Sequence, residues 1–105
     1  MDNNMENLRE EVLVWAAQRD LLKSENAVKQ GLKLTEEVGE LASAIIKNKR
    51  AEQIDAIGDI QVVLIILAEQ LGIDYNDALA SAYGVIKDRK GQTVNGAFIK
   101  EENEQ

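Results

Sequence analysis

The run from Ile60 to Ala68 constrains the fold of this chain more than any other feature, because apart from Gln61 every residue in it is apolar. A helix built on it is apolar on all sides, so its second half has to be surrounded by protein. A β-branched stretch such as Val62-Val63-Leu64-Ile65-Ile66 also suits a buried strand. The apolar pattern is longer than a typical strand, however, and no partner strand is visible, so the reading is a helix over about 51–71 ended by Gly72.

The 105 residues contain no proline, which permits further long helices around this one. Leu8, Val12, Trp15 and Ala16 fall at helical spacing and predict a helix over about 4–22, with Asn3 or Asn4 available as its cap. A second helix over about 27–48 carries Leu34, Val38, Leu41, Ala42 and Ile45 on one stripe and ends in the basic cluster Lys47 to Arg50. A fourth, over about 75–90, follows Asp74 and turns Leu79, Ala82, Tyr83 and Ile86 inward. Residues 91–105 read as a C-terminal arm with an Asn95-Gly96 turn signal and an acidic, disordered end. The expectation is an all-α fold, one four-helix domain over residues 1–105 with no repeats.

Composition narrows the chemistry. With no cysteine and no histidine, disulfides, thiolate or imidazole metal sites and a histidine base are all excluded. Only carboxylates, lysines, arginines and hydroxyls remain. A net charge of −7 argues against binding nucleic acid, which depends on excess Lys and Arg. The N-terminal stretch has no basic segment followed by an apolar one, and the longest apolar stretch, Val62 to Ala68, is too short to span a bilayer. These features predict a cytoplasmic protein with no membrane partner.

The carboxylates are arranged rather than scattered. Glu37 and Glu40 lie about 60° apart on adjoining helical turns beside the apolar stripe, with Glu36 close to Glu40. Asp55 and Asp59 are about 40° apart on the next helix, on a face that continues into Val62, Val63 and Ile66. Acidic pairs at such spacings are common on solvated helix faces, and that is the plain alternative. Both pairs, though, flank apolar stripes. Carboxylates brought together on packed helices repel unless a cation sits between them, and an all-oxygen donor set favours Mg²⁺ or Mn²⁺ in company with substrate phosphates.

The segment Glu36-Glu37-Val-Gly-Glu40 resembles the first signature, Glu-Glu-x-x-Glu, of the all-alpha nucleotide pyrophosphohydrolases, the superfamily of MazG, dimeric dUTPase and dCTP pyrophosphatase. Their second signature, Glu-x-x-Asp, is altered: Ala56-Ile57-Gly58-Asp59 has alanine where glutamate is expected, with Asp55 immediately before it. The form Asp55-Ala-Ile-Gly-Asp59 is similar to that of small MazG-like proteins of phages and Gram-positive bacteria. A second register, Glu52-Gln-Ile-Asp55, matches the signature literally, but the family's apolar run starts after Asp59. The resemblance extends over about residues 8–100.

The resemblance implies a Mg²⁺-dependent nucleoside triphosphate pyrophosphohydrolase, cleaving between the α and β phosphates to give monophosphate and pyrophosphate. It implies Glu37, Glu40 and Asp59 as metal ligands, Asp55 as a substitute fourth, and Glu36, with Glu37, at the catalytic water. Trp15, Lys33, Lys87, Arg89, Lys90 and Asn95 are the candidate substrate contacts. All but Lys33 have a plainer reading: Trp15 as core, the Lys87 to Lys90 cluster as a basic helix end, Asn95 as a turn residue. The apolar circumference of the third helix, like the relatives, points to a homodimer or homotetramer. The alternative function is a non-catalytic nucleotide- or metal-binding helical module that lost turnover through Ala56; a structural interaction protein is a third. Base and sugar preference, and the choice between a triphosphate and an alarmone-like substrate, are not legible.

Overall fold

The computed structural model describes residues 4–101. Helices α1 (Asn4–Ala17), α2 (Ala27–Ile46), α3 (Arg50–Gln70) and α4 (Tyr75–Ile86) follow in order, with a 3₁₀ turn (Ser24–Asn26) leading into α2. Strands β1 (Gly91–Val94) and β2 (Ala97–Lys100) form one antiparallel pair. The expected helices are there; the all-α expectation is corrected by this hairpin. The chain divides into two compact units, one reaching to Tyr75 and one starting at Asn76. Of the expected caps and arm, Asn3 and residues 102–105 lie outside the described residues.

In the first unit, α2 and α3 pack along each other and are joined by only three residues, Lys47 to Lys49, so they run antiparallel. Gln53 Nε2 donates to Ala44 O at 3.2 Å and pins the start of α3 to the end of α2. The stripe that α2 buries is Leu34, Glu37, Leu41 and Ala44, at spacings of three and four; the leucines are half-buried, Glu37 and Ala44 buried. This corrects the expected stripe, since Val38, Ala42 and Ile45 are exposed. The true stripe passes through a carboxylate, and apolar residues alone point to the neighbouring face. On α3 the matching stripe is Ala56, Val63, Ile66 and Gln70, all buried, with Asp59 half-buried in the same line. The rest of the run from Ile60 to Ala68 is half-buried, apart from exposed Gln61, rather than enclosed. Helix α1 packs on α3 through Ala16, which is fully buried, and Gln70 Nε2 donates to Leu21 O at 2.7 Å to hold the segment after α1.

Three helix ends share one construction. After α1, Leu21 N–H reaches Ala16 O and Asp20 N–H reaches Ala17 O, with Asp20 at φ 60. After α2 the bonds are Lys49 to Ala44 and Asn48 to Ile45 with Asn48 at φ 57, and after α3 they are Ile73 to Ala68 and Gly72 to Glu69 with Gly72 at φ 72. Each is a Schellman motif that satisfies carbonyls left over at the helix end. Asp20 therefore stops α1 several residues before the expected Leu22, whereas Gly72 stops α3 where glycine predicts. Asn48 likewise ends α2 inside its basic cluster, just short of the expected boundary.

In the second unit, α4 ends at Ile86 rather than near Lys90, because Arg89 N–H already bonds Ile86 O in a tight turn and the strand begins at Gly91. Leu79, Tyr83 and Ile86, expected to face inward, are exposed. Within the hairpin Gly91 pairs with Lys100 and Val94 with Ala97, across a two-residue turn in which Asn95 (φ 52) and Gly96 (φ 83) are both left-handed. That is a type I′ turn, the form that Asn-Gly favours. Gly91 admits no side chain, since a Cβ there would collide with the backbone of Ile99 and Lys100 and with the Phe98 ring.

Candidate functional site

The α2 register puts Glu37 on the buried stripe between Leu34 and Leu41, so a carboxylate takes a place that the helix interface would otherwise give to an apolar side chain. Glu37 is only 6% exposed. Lys33, one turn earlier, reaches it with Nζ 3.5 Å from Oε2, while Oε1 is buried with no hydrogen-bond donor. Leaving such an oxygen unsatisfied is costly, and an ordered water or a bound cation is what completes such a group in folded proteins.

What does face Glu37 is more negative charge. Glu40, a turn later and exposed, has its pKa raised, chiefly by repulsion from Glu37, then by desolvation and by Glu36. Asp59, across on α3, is raised by desolvation, then by Asp55 and Glu37. The Glu37 carboxylate contributes to the shift at both, and the charge of Lys33 opposes it at both. The structure thus brings Glu36, Glu37, Glu40, Asp55 and Asp59 into one electrostatic neighbourhood. Glu52, from the other register, lies exposed in the first turn of α3 and is not among the charges that act on Glu40 or Asp59.

Among the described residues no three acidic side chains converge as a formed metal cage. The group nevertheless suits a hard divalent cation. Its donors are all oxygens, one of them is buried and unsatisfied, and the acids around it need positive charge to draw closer. Ala56, where the resembling signature has glutamate, is 4% exposed on the α3 stripe and packs in the core.

The first unit carries two clefts, one of which includes Glu36 and Lys33. One, of about 430 Å³, is lined by Leu8, Glu11, Val12 and Trp15 of α1 and Val62 of α3. Trp15 is 47% exposed there, so it is not core in this chain; Arg19 stacks on its ring at 4.5 Å and donates from Nη1 to its carbonyl at 2.9 Å. The other, of about 530 Å³, is lined by Lys29, Leu32, Lys33, Thr35 and Glu36 of α2. Arg19 and Lys29 are absent from the sequence reading, yet each stands four residues from a candidate contact, the spacing that puts side chains on one helix face. Lys87, Arg89, Lys90 and Asn95 belong to the second unit and are exposed, with Asn95 serving the hairpin turn.

The family model for phosphoribosyl-ATP pyrophosphohydrolase matches residues 8–83. That span contains both acidic runs, Trp15 and Lys33, and stops short of Lys87. An uncharacterized 18.2 kDa protein in the rep-hol intergenic region of Haemophilus phage HP1 (strain HP1c1) is 42% identical over 71 residues, covering 68% of this chain and 44% of that protein. The chain therefore spans less than half the length of this relative. No solved structure matches it.

Proposed function

The chain belongs to the phosphoribosyl-ATP pyrophosphohydrolase family, within the MazG-like all-alpha pyrophosphatase superfamily, and on that footing we propose that it is a small MazG-like nucleoside triphosphate pyrophosphohydrolase. Membership implies pyrophosphohydrolase activity, and the family is typically metal-dependent. The bond cut is the anhydride between the α and β phosphates, giving a nucleoside monophosphate and pyrophosphate. The observation that carries this reading is Glu37: a buried carboxylate with a donorless oxygen, faced by Glu40 and Asp59.

Glu37, Glu40 and Asp59 are the residues that would hold Mg²⁺ or Mn²⁺, with Asp55 supplying the charge that glutamate at position 56 supplies in the resembling signature. Such an ion, when bound, lowers the pKa of water and polarises a phosphate oxygen. Exposed Glu36, at the edge of the group, accepts the proton of the attacking water, so neither histidine nor cysteine is needed. Trp15 offers an exposed ring face for a base. Lys33 takes up phosphate charge.

Exposed Val38, Ile45, Ile46, Ile54 and Ile57 on α2 and α3 support assembly into a homodimer or homotetramer. No single described helix is long and apolar enough to cross a membrane. The net charge of −7 argues against a nucleic-acid partner.

A second reading, a nucleotide- or metal-binding module without turnover, is favoured by one observation, the buried Ala56 in place of an acidic ligand. A panel of nucleotides assayed with Mg²⁺ separates the two. Pyrophosphate release supports the enzyme, whereas nucleotide-induced stabilisation without release supports the module.

A further inference from the structure

Lys33 is the cation set against this group of acids. Its Nζ stands 3.5 Å from Glu37 Oε2, and its charge opposes the repulsion at both Glu40 and Asp59. Two observations set it apart from an ordinary surface ion pair. Its partner is buried and retains an oxygen with no donor, so the single ammonium leaves the carboxylate's hydrogen-bonding capacity unfilled. Its own side chain is 53% exposed and lines the 530 Å³ cleft that Lys29, Leu32, Thr35 and Glu36 also line. A lysine on a flexible four-carbon stem is long enough to leave Glu37 for the cleft beside Lys29 without any movement of the backbone.

Resting on the pyrophosphohydrolase reading, we propose that Lys33 is the exchangeable counter-ion of the carboxylate site, neutralising Glu37 in the metal-free protein and turning to the adjoining cleft, beside Lys29, to hold a phosphate oxygen once a divalent cation is bound. An ammonium and a divalent ion on the same buried carboxylate repel strongly at separations of a few ångströms, so binding one disfavours the other. The cleft position is next to a second lysine, a pairing that repels unless an anion lies between them. Metal binding and phosphate binding are thereby coupled through one side chain.

The test compares the full chain with Lys33→Met, which keeps the length of the side chain and removes its charge. Expected are a lower melting temperature without metal, Mn²⁺ binding by calorimetry tighter on the order of fivefold, and inorganic pyrophosphate binding in the presence of Mn²⁺ weaker on the order of tenfold. A merely structural ion pair predicts Mn²⁺ affinity unchanged or reduced, and that result overturns the proposal. In case the variant fails to fold, the parent protein gives a second readout. Acylation of the Lys33 amine, followed by mass spectrometry, rises when Mn²⁺ is added and falls again with pyrophosphate; labelling that ignores Mn²⁺ overturns the proposal. If the parent binds no Mn²⁺ at all, the metal-site reading falls together with this one. If the parent binds Mn²⁺ and releases pyrophosphate while Lys33→Met binds Mn²⁺ no more tightly, only the exchange fails.

Discussion

Glu37 on α2 and Asp59 on α3 occupy facing stripes of one helix pair, and the Glu37 charge helps hold the Asp59 carboxyl above its ordinary pKa. Neither anion supplies the other with a donor. Replacing Glu37 with glutamine removes one charge and adds two donors at the same volume. Glu37→Gln is therefore expected to raise the metal-free melting temperature by a few degrees and to abolish both metal-induced stabilisation and turnover. Thermal melts in EDTA and in millimolar Mg²⁺ check this; a variant less stable than the parent in EDTA contradicts it.

The raised pKa values of Glu40 and Asp59 have a direction that thermal melts can read. A carboxyl that holds its proton more tightly in the folded state makes the folded state bind more protons than the unfolded one. Stability from these groups is present below their ordinary pKa values and is lost as pH rises through the raised ones. The gap in melting temperature between Asp59→Asn and the metal-free parent is expected to widen in favour of the variant from pH 4 to pH 7. A gap independent of pH contradicts the repulsion described at this site.

The second acidic run has two registers, and they predict different outcomes for three substitutions. Asp55 acts on Asp59, whereas Glu52 does not figure among the charges at the site. Asp55→Asn and Asp59→Asn are both expected to abolish pyrophosphate release, with Glu52→Gln nearly unchanged. Ala56→Glu, which restores the glutamate of the resembling signature, carries a cost because position 56 is buried. It is expected to destabilise the metal-free protein, by about 1–3 kcal/mol for an unsatisfied buried polar group. An inactive Glu52→Gln beside an active Asp59→Asn reverses the assignment.

Trp15 is the only tryptophan in the chain and stands 47% exposed in an apolar cleft under the Arg19 guanidinium. A base stacking there shields the indole, so nucleotide addition in the presence of Mg²⁺ is expected to shift or quench its fluorescence. Trp15→Ala is expected to weaken nucleotide binding by about 1–3 kcal/mol. Unchanged emission at saturating nucleotide removes Trp15 from the site.

Much of this was legible from residue spacing, and the exceptions have physical causes. The apolar run of α3, the Gly72 stop and the nearness of the two acidic runs all follow from helical periodicity. The α2 stripe was displaced because its buried line includes Glu37, and a count of apolar residues moves to Val38, Ala42 and Ile45 instead. Helix α1 stops at Ala17, short of the Leu22 that apolar spacing predicts, because its stop is an aspartate, Asp20, in the left-handed conformation usually left to glycine. The hairpin was visible only as its Asn95-Gly96 turn, since four-residue strands with every side chain exposed carry no alternation of burial. Lys33 was legible as a candidate, but its contact with Glu37 required coordinates.

The central claim is that this acidic helix pair supports metal-dependent cleavage between the α and β phosphates. Phosphorus NMR of a nucleoside triphosphate incubated with the protein tests it most directly, with Mg²⁺ and with EDTA in parallel. The account predicts signals of nucleoside monophosphate and pyrophosphate with Mg²⁺, and intact triphosphate with EDTA and with Glu37→Gln. Diphosphate and inorganic phosphate as the products, or triphosphates left intact across the nucleotide panel with Mg²⁺, would contradict it.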